Sequence, residues 1–424
     1  MNNDTTLTDD TRLLAGFPAV YTHGYWAIFL PHRLQIIRVD GEHLNDELIR
    51  DFIITHGLSL PNCAHRCGSV GVNLTLVTTR ACNLRCKYCF LGESKTETMS
   101  HTLGLAAVEY AIEQAIDRGQ NVNVSYFGGE PTLNWSLIET TAELLASSRV
   151  QSNLHVTTNG IISQDMCSFF RDLNFSVTVS NDGIPEYNDK VRVFANGAGT
   201  SGQVQQTLAN LVRLGVSFKV RMTVTAGNVE TLPNAVAYYA DLGVRFLHIE
   251  PMNSSQMQND RTLAQPKVAD FIRYLTHAFD VAREKGVEII NSAFIRLVEP
   301  RECYCDAASG NRLIILPDGT ISRCFEVQSS CHPEWDLYAV GRFDTRAKRP
   351  LMFSDAMSLP VRPHECEFCF SRYICAGGCP VRNSYNQANY FCQIRRALLR
   401  DVIIRMDADG NSVRSEVNNS IHRG

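Results

Sequence analysis

The chain has 424 residues, of which 44% are hydrophobic and 20% are charged, and its formal net charge is −4 at pH 7. This composition suits a globular protein of two or three domains and provides no basic field to attract nucleic acid or a membrane surface. No apolar run approaches the roughly 18 residues of a membrane span, and the polar, acidic N-terminus is unlike a secretory signal. We therefore expect a cytoplasmic protein with no nucleic-acid or membrane partner.

Fifteen cysteines are many for a chain without an export signal. A reducing compartment disfavours structural disulfides, so the cysteines indicate metal binding or redox chemistry.

Residues 1–70 have the pattern of a short, irregular start. Within them, 26–40 predicts two strands around a Pro-His turn, and 41–57 predicts a helix. We treat 1–70 as an N-terminal segment.

From Gly71 onward, strand patterns alternate with helical ones, which predicts six consecutive β/α units. Such units form a parallel sheet with helical crossovers, and functional sites collect at the carboxyl ends of its strands. The predicted strands are 72–79, 121–127, 153–158, 175–180, 216–225 and 244–250. The predicted helices lie near 100–118, 134–148, 163–172, 202–214, 230–242 and 266–285.

After about residue 290 this alternation stops. The stretch 300–395 is rich in Cys, Gly, Pro and Arg, which is typical of a small domain held together by metal. The sequence thus predicts an α/β core at 71–290, a cysteine-rich domain at 300–395 and a helical tail at 396–424.

The most specific motif is a C-x3-C-x2-C loop formed by Cys82, Cys86 and Cys89 directly after the first predicted strand. Three thiolates can hold three irons of a [4Fe–4S] cluster, which leaves the fourth iron without a protein ligand. A zinc loop or three unrelated core cysteines are the alternatives.

This loop resembles the cluster loop of radical S-adenosylmethionine enzymes, including the aromatic Tyr88 before the third cysteine. The resemblance implies a partial (β/α)6 barrel of the TIM type. It also implies that the open iron chelates the amino and carboxylate groups of S-adenosylmethionine. One electron from a reductant such as flavodoxin or ferredoxin then yields a 5′-deoxyadenosyl radical, which abstracts hydrogen.

A second segment, YFGGEP, closes the second predicted strand and contains Gly128, Gly129, Glu130 and Pro131. Paired glycines permit close approach of backbone to a ligand, and a glutamate accepts hydrogen bonds from an ammonium group. The resemblance implies that this segment binds the methionine amino group; the alternative is a plain turn before a helix.

The segment 180–192 follows the fourth predicted strand and resembles a stretch of peptide-modifying members, with Asn188 where they have a histidine. By this resemblance Arg192 pairs with the methionine carboxylate, a role suited to a cationic fork. Ser180 is a candidate for the ribose side. Asn159, after the third strand, is a candidate contact of the nucleoside. For these two positions, the alternative is a residue that forms a turn.

Downstream, a further cysteine pattern matches the SPASM extension of radical enzymes that mature peptides and proteins, and this extension carries up to two auxiliary [4Fe–4S] clusters. By carry-over, one cluster is ligated by Cys366, Cys369, Cys375 and Cys392. The other is ligated by Cys305, Cys324 and Cys379.

The fourth ligand of that second cluster stays open. Cys303 is the best candidate, Cys331 is another, and an open iron is the third possibility. Without the resemblance, these cysteines also fit a structural zinc site. Cys167 has the pattern of a core residue, and Cys63 and Cys67 lack further ligand partners in the sequence.

The resemblance favours a ribosomally made precursor peptide, leader plus core, as the substrate, with a side-chain cross-link as the product. A carbon–carbon or ether bond at an aromatic residue is preferred over a thioether. The alternative enzyme is a sulfatase-type maturase that makes formylglycine. Such maturases usually have an Asp where this chain has Phe325, and Glu326 is a candidate base.

An alternative of another class is a non-catalytic electron carrier or a zinc-stapled binding protein. Residues 1–70 are a candidate reduced leader-binding module.

Overall fold

The computed structural model describes most of the chain, and all structural statements below concern the described residues: 10–14, 16–30, 35–40, 47, 49–51, 71–91, 96–253, 260, 262–292, 304–306, 310–353, 366–382, 388–408 and 412–413. The chain divides into two compact units. The larger contains Gly68–Asn291 and Asp306–Leu359, and the smaller contains Met1–Cys67, Ser292–Cys305 and Pro360–Gly424.

The smaller unit begins with an antiparallel meander of four strands, β1 to β4. Their bounds are Thr11–Leu14, Phe17–Thr22, Tyr25–Leu30 and Gln35–Asp40. The two strands predicted within 26–40 are therefore confirmed, whereas the irregular start expected before them is two further strands. The helix predicted at 41–57 is described only at 47 and 49–51, where it is helical.

The larger unit contains strands β5 to β15 and helices α1 to α8. The strands are Val72–Thr79, Val122–Gly128, Ser152–Thr158, Ser176–Ser180, Ser217–Val224, Phe246–Pro251, Glu288–Ile290, Arg312–Ile315, Thr320–Ser322, Ala339–Asp344 and Arg349–Met352. The α-helices are His101–Arg118, Trp135–Ser147, Gln164–Asp172, Pro185–Val191, Ser201–Leu214, Leu232–Asp241, Val268–Lys285 and Trp335–Tyr338. Single turns of 3₁₀-helix span Pro131–Asn134 and Val229–Thr231.

These strands form one sheet in the order β11-β10-β9-β8-β7-β6-β5-β12-β13-β14-β15. Along this order, each neighbouring pair is parallel as far as β5 and β12, and the pairs from β12 to β15 are antiparallel. The six predicted strands and six predicted helices are present, with boundaries within about two residues of the prediction. Local signals support this agreement, because Ser100 caps the first turn of α1 and Gly119 ends it in a left-handed conformation.

One boundary differs from the sequence prediction. Residues 312–352, predicted to belong to a separate cysteine-rich domain, continue the sheet of the core because β12 pairs in parallel with β5. Val77, Ile314 and Leu316 bury their side chains together at this junction. Strands β12, β13 and β15 have only three or four residues, too few to show a periodic pattern, and the sequence predicted neither these nor β14.

The smaller unit continues with helices α9 to α11 and strand β16, at Arg372–Cys375, Pro380–Arg382, Ala388–Ala408 and Ser412–Val413. Strand β16 pairs in parallel with β4. The meander and the C-terminal elements share an apolar core of Val20, Ala27, Phe29, Ile36, Phe370, Ile374, Leu399 and Ile403. Asp407 joins them further, because it accepts bonds from Tyr25 Oη at 2.5 Å and Arg38 Nε at 2.6 Å.

None of the helices in the described ranges is both long enough and apolar enough to cross a bilayer.

One face of the parallel sheet carries a row of polar side chains. On it, His155 Nε2 of β7 lies 2.9 Å from Thr178 Oγ1 of β8. Burial, with Lys219 and Arg312 adding positive charge nearby, lowers the pKa of His155 to about 4. The imidazole is therefore neutral in the folded protein near pH 7.

This histidine makes stability depend on pH. Below the ordinary histidine pKa of about 6.5 the unfolded chain binds a proton that the folded protein does not, so stability falls as pH drops from 6.5 to 4. We predict that the wild type loses about 3 kcal/mol more than His155→Gln over this interval. Urea unfolding at several pH values measures the difference. The exposed His277→Gln variant is the control and should follow the wild type; equal losses in wild type and His155→Gln would contradict the prediction.

Candidate active site

The three-cysteine loop leaves the carboxyl end of β5 and is held by the chain that follows α4. Arg85 N donates to Val193 O at 2.7 Å, and Lys87 N donates to Val191 O at 2.9 Å. Arg192, the first residue after α4, is extended rather than helical. The pairing between these two segments therefore places Arg192 beside the cysteine loop.

The three thiols of this loop are close enough to influence each other's ionisation. Burial raises the pKa of Cys82 and Cys89 to about 11, and the pKa of Cys86 is also raised by burial. Coordinated thiolates need a cation to offset this cost, and iron provides it. Leu84 N and Asn159 Nδ2 lie 3.4 Å and 3.8 Å from Cys82 Sγ, where they can donate to a thiolate. This donor set fits three irons of a cluster.

Within the described ranges, no three His, Cys, Asp or Glu side chains form a site for a single metal ion. A [4Fe–4S] cluster does not require such a site, because each thiolate binds a different iron.

The paired glycines after β6 bring two backbone segments into direct contact. Gly129 N donates to Thr79 O at 2.9 Å, and Glu130 N donates to Ala81 O at 2.8 Å. A Cβ atom on Gly129 would lie 2.3 Å from Ala81 O and 2.6 Å from Arg80 O. In this structure the paired glycines bring their backbone close to the backbone at the start of the cysteine loop, whereas the sequence predicted a close approach to a ligand.

Glu130 is buried, and four protein donors bind its carboxylate. Oε1 accepts from Thr132 N, Thr132 Oγ1 and Thr158 Oγ1 at 3.2, 2.7 and 2.9 Å, and Oε2 accepts from Asn159 N at 2.6 Å. Burial raises its pKa, and these hydrogen bonds oppose the shift. Since a carboxylate offers about four acceptor positions, two per oxygen, the remaining capacity for an ammonium group lies on Oε2.

Arg192 is also buried, and its guanidinium takes part in a network of three side chains. Its Nη1 donates to Tyr88 Oη at 2.6 Å, and the same hydroxyl donates to Asp182 Oδ2. Arg192 Nε is buried without a hydrogen-bond partner among the described residues. A buried guanidinium with an unused N–H beside the cysteine loop fits a carboxylate ligand.

The other predicted contacts of S-adenosylmethionine lie around this network. Asn159 Nδ2 donates to Asn83 Oδ1 at 2.7 Å, so its side chain faces the cysteine loop. Ser180 ends β8 beside Arg221 of β9. Pro131 begins the 3₁₀ turn after the glycines. Asn188 is fully buried, accepts from Asp182 N at 3.1 Å and donates to Thr200 and Ser201, so it organises the segment internally.

A turn after β13 approaches the same end of the sheet and carries Cys324, Phe325 and Glu326. The ring of Phe325 lies 4.9 Å from that of Phe127, which directly precedes the paired glycines. Arg80, the first residue after β5, donates through Nη2 to Gln328 O. Phe325 remains 42% exposed, so an apolar surface stays open beside the site.

Four C-terminal cysteines lie close enough for their charges to interact. Burial, followed by the nearby thiols of Cys375, Cys369 and Cys366, raises the pKa of Cys392 to about 11, while Arg395 opposes the shift. Ala376, Gly377 and Gly378 all have positive φ angles, which reverses the chain directly after Cys375.

The remaining predicted ligands are distributed between the two units. Cys305 and Cys379 belong to the smaller unit and Cys324 to the larger one. Cys303, Cys63 and Cys67 lie outside the described residues. Cys331 is exposed, and Cys167 is fully buried in α3, as its pattern predicts.

Two charged residues at the site had no role in the sequence analysis. Asp182 lies within the recognised segment 180–192, so its position was known but its bond to Tyr88 was not. Arg80 directly precedes the cysteine loop, and its buried side chain also donates to Glu97 Oε2 at 2.6 Å. Both depend on contacts distant in sequence, which no local pattern reveals.

Comparison with known proteins identifies a family and several relatives that this chain resembles. Residues 76–238 match the family described as the Radical SAM superfamily. The cysteine-type anaerobic sulfatase-maturating enzyme of Clostridium novyi is 24% identical over 347 residues, covering 74% of this chain and 90% of that enzyme. The serine-type enzyme of Klebsiella aerogenes is 25% identical over 338 residues, covering 74% and 80%.

Two solved structures share the fold. Native anSMEcpe with bound AdoMet and Cp18Cys peptide superposes with a TM-score of 0.61 at 20% identity, covering 80% of this chain and 99% of that one. Streptococcus suis SuiB bound to S-adenosylmethionine gives a TM-score of 0.54 at 14% identity, covering 89% and 96%.

The contact at Gly129 yields a prediction. Because a Cβ there would overlap two backbone oxygens, Gly129→Ala should displace the loop and cost roughly 1–3 kcal/mol, and the iron content should fall by one cluster per chain. Iron analysis after anaerobic reconstitution measures this. Gly202→Ala in α5 is the control, since its Cβ meets nothing within 4 Å. Full iron content in Gly129→Ala would show that the close approach does not hold the loop.

Proposed function

We propose, from the match of residues 76–238 to the Radical SAM superfamily, that this protein is an enzyme that modifies a peptide. In particular, we propose that it installs a side-chain cross-link in a ribosomally synthesised precursor. The observation that carries the proposal is the buried Arg192 beside the loop of Cys82, Cys86 and Cys89, since its Nε has no hydrogen-bond partner among the described residues.

Each residue of the site has a proposed task. Cys82, Cys86 and Cys89 hold a [4Fe–4S] cluster, and Arg192 binds the carboxylate of S-adenosylmethionine. Oε2 of Glu130 accepts from the amino group, while Ser180 and Asn159 face the ribose and the base. Gly128, Gly129, Pro131 and Tyr88 hold these groups in position.

When bound, the cluster and S-adenosylmethionine supply a 5′-deoxyadenosyl radical that abstracts hydrogen from the peptide. The chain contributes binding, orientation and exclusion of water. A cross-link removes two hydrogen atoms from the peptide: one is abstracted, and the second leaves as a proton and an electron. We propose that Glu326 takes the proton.

We propose that two auxiliary [4Fe–4S] clusters accept the electron. They belong to a SPASM domain that follows a partial (β/α)6 barrel in the chain. One has Cys366, Cys369, Cys375 and Cys392 as ligands, which is supported by the mutual proximity of these thiols. The other has Cys305, Cys324 and Cys379, with Cys303 as the candidate fourth ligand. Flavodoxin or ferredoxin is the proposed external reductant.

The surface beside the site supports an aromatic target. Phe127, which precedes the paired glycines, and the half-exposed Phe325 form an apolar face. Sulfatase maturases usually have an Asp at the position of Phe325. Apolar side chains at this face favour an aromatic residue of the peptide over a serine or cysteine. A carbon–carbon or ether cross-link is therefore preferred.

The N-terminal meander is the proposed binding site for the leader part of the precursor. Its residues share a core with Phe370 and Ile374, so deletion of residues 1–65 would also disturb the C-terminal elements. Point substitutions on its exposed surface, such as Tyr21→Ala, are the appropriate test. Unchanged affinity for the precursor in such variants would remove the idea.

The second candidate function is a sulfatase-type maturase that makes formylglycine. It is favoured by the similarity to anaerobic sulfatase-maturating enzymes, which extends over 74% of this chain.

We predict that Cys82→Ala, Cys86→Ala or Cys89→Ala reduces reductive cleavage of S-adenosylmethionine to background, because each removes one ligand of a three-thiolate cluster. Auxiliary iron should remain, since its proposed ligands are elsewhere. Release of 5′-deoxyadenosine and iron per chain are the measurements, with Cys167→Ala as the control. Retained cleavage in any of the three variants would refute the assignment.

Two peptides distinguish the candidate substrate classes. The reduced holoenzyme should convert a precursor encoded beside its own gene to a product lighter by two hydrogen atoms, with an internal link in tandem mass spectra. A sulfatase peptide should remain unchanged. Since oxidation of serine also removes two hydrogen atoms, a hydrazide probe for the aldehyde distinguishes the two products.

The role of Glu326 is tested in the same assay. Glu326→Gln should slow conversion of the peptide about 100-fold, as loss of a general base does, without slowing release of 5′-deoxyadenosine. Glu334→Gln, eight residues later in the chain, is the control. If the sulfatase peptide becomes reactive toward the hydrazide, the enzyme makes formylglycine, and the second candidate function is supported in place of cross-linking.

A further inference from the structure

The N–H groups of the Arg192 guanidinium differ in whether they have a hydrogen-bond partner. Its Nη1 is occupied by the Tyr88 hydroxyl at 2.6 Å, whereas Nε has no partner among the described residues. The N–H groups of Nε and Nη2 point in parallel and form the fork that binds a carboxylate with two hydrogen bonds. One corner of the guanidinium is therefore bonded to Tyr88, and no described residue occupies the fork.

The Tyr88 hydroxyl holds this corner only because its own proton has another acceptor. It donates to Asp182 Oδ2, so a single hydroxyl links a buried cation to a buried anion. The hydroxyl thus has one geometry that satisfies both neighbours.

Asp182 is in turn fixed from three directions. Its Oδ1 accepts from Thr223 N of β9 at 2.9 Å, its N–H donates to Asn188 Oδ1 at 3.1 Å, and its carbonyl accepts from Asn228 Nδ2 at 3.2 Å. A hydrogen-bonded chain of buried groups has few alternative arrangements. The fixed position of Asp182 therefore also fixes the Tyr88 hydroxyl and, through it, the guanidinium of Arg192.

We infer that Asp182 and Tyr88 are positioning residues that hold the Nε–Nη2 fork of Arg192 toward the carboxylate of S-adenosylmethionine. This inference rests on the proposed function. Neither residue touches the carboxylate, so both act only through Arg192. Their loss should therefore weaken binding of a ligand with a carboxylate and leave a ligand without one largely unaffected.

The experiment compares S-adenosylmethionine with its decarboxylated analogue on anaerobic, reconstituted holoenzyme, by equilibrium dialysis and without reductant. The wild type should bind S-adenosylmethionine more tightly than the analogue. In Tyr88→Phe and Asp182→Ala the affinity for S-adenosylmethionine should fall about tenfold while that for the analogue changes less than twofold. Asp182→Asn retains an oxygen acceptor for the Tyr88 proton and should recover part of the loss.

Tyr126→Phe is the matched control, because its buried hydroxyl bonds Thr141 outside the network. Iron per chain is measured for every variant, and if Tyr88→Phe loses iron, the Asp182 variants decide the question. Equal weakening of both ligands would overturn the inference, as would unchanged binding of both. Absence of S-adenosylmethionine binding in the wild type would instead remove the proposed function, so the two failures are distinguishable.

Discussion

Two backbone hydrogen bonds join the end of β6 to the chain that leaves β5, from Gly129 N to Thr79 O and from Glu130 N to Ala81 O. They require glycine at position 129, since a side chain there would overlap carbonyl oxygens. The cysteine loop begins at this junction, and Glu130 is one of the residues that form it. Displacement of this contact would therefore move the three thiols and the carboxylate of Glu130 together.

The charges near this junction are buried, and each is compensated in a different way. Glu130 is satisfied by protein donors, while Asp182 and Arg192 are linked through the hydroxyl of Tyr88. Burial of an uncompensated charge costs several kcal/mol, so these groups are stable only as a set. The remaining capacity, one acceptor position on Glu130 and one fork on Arg192, is what a zwitterionic amino acid group requires.

Much of this could be predicted from sequence because the signals are local. The six β/α units have clear periods, and the spacing of Cys82, Cys86 and Cys89 directly after the first strand of the core predicts a cluster loop. The contact of Arg192 with Tyr88 joins residues 104 positions apart, and strands β12, β13 and β15 are too short to show a period. Sequence could name Glu130 as an acceptor, but not the four donors that already bind it.

The parallel pairing of β12 with β5 also has a consequence for biosynthesis. Asn73 Nδ2 donates to Asn311 O, 238 residues later, so one flank of β5 stays bare until most of the polypeptide has left the ribosome. Contacts this distant in sequence form late and slowly, and exposed strand edges associate with other chains in the meantime. Overproduction should therefore benefit from low temperature, which weakens the apolar association of incomplete chains.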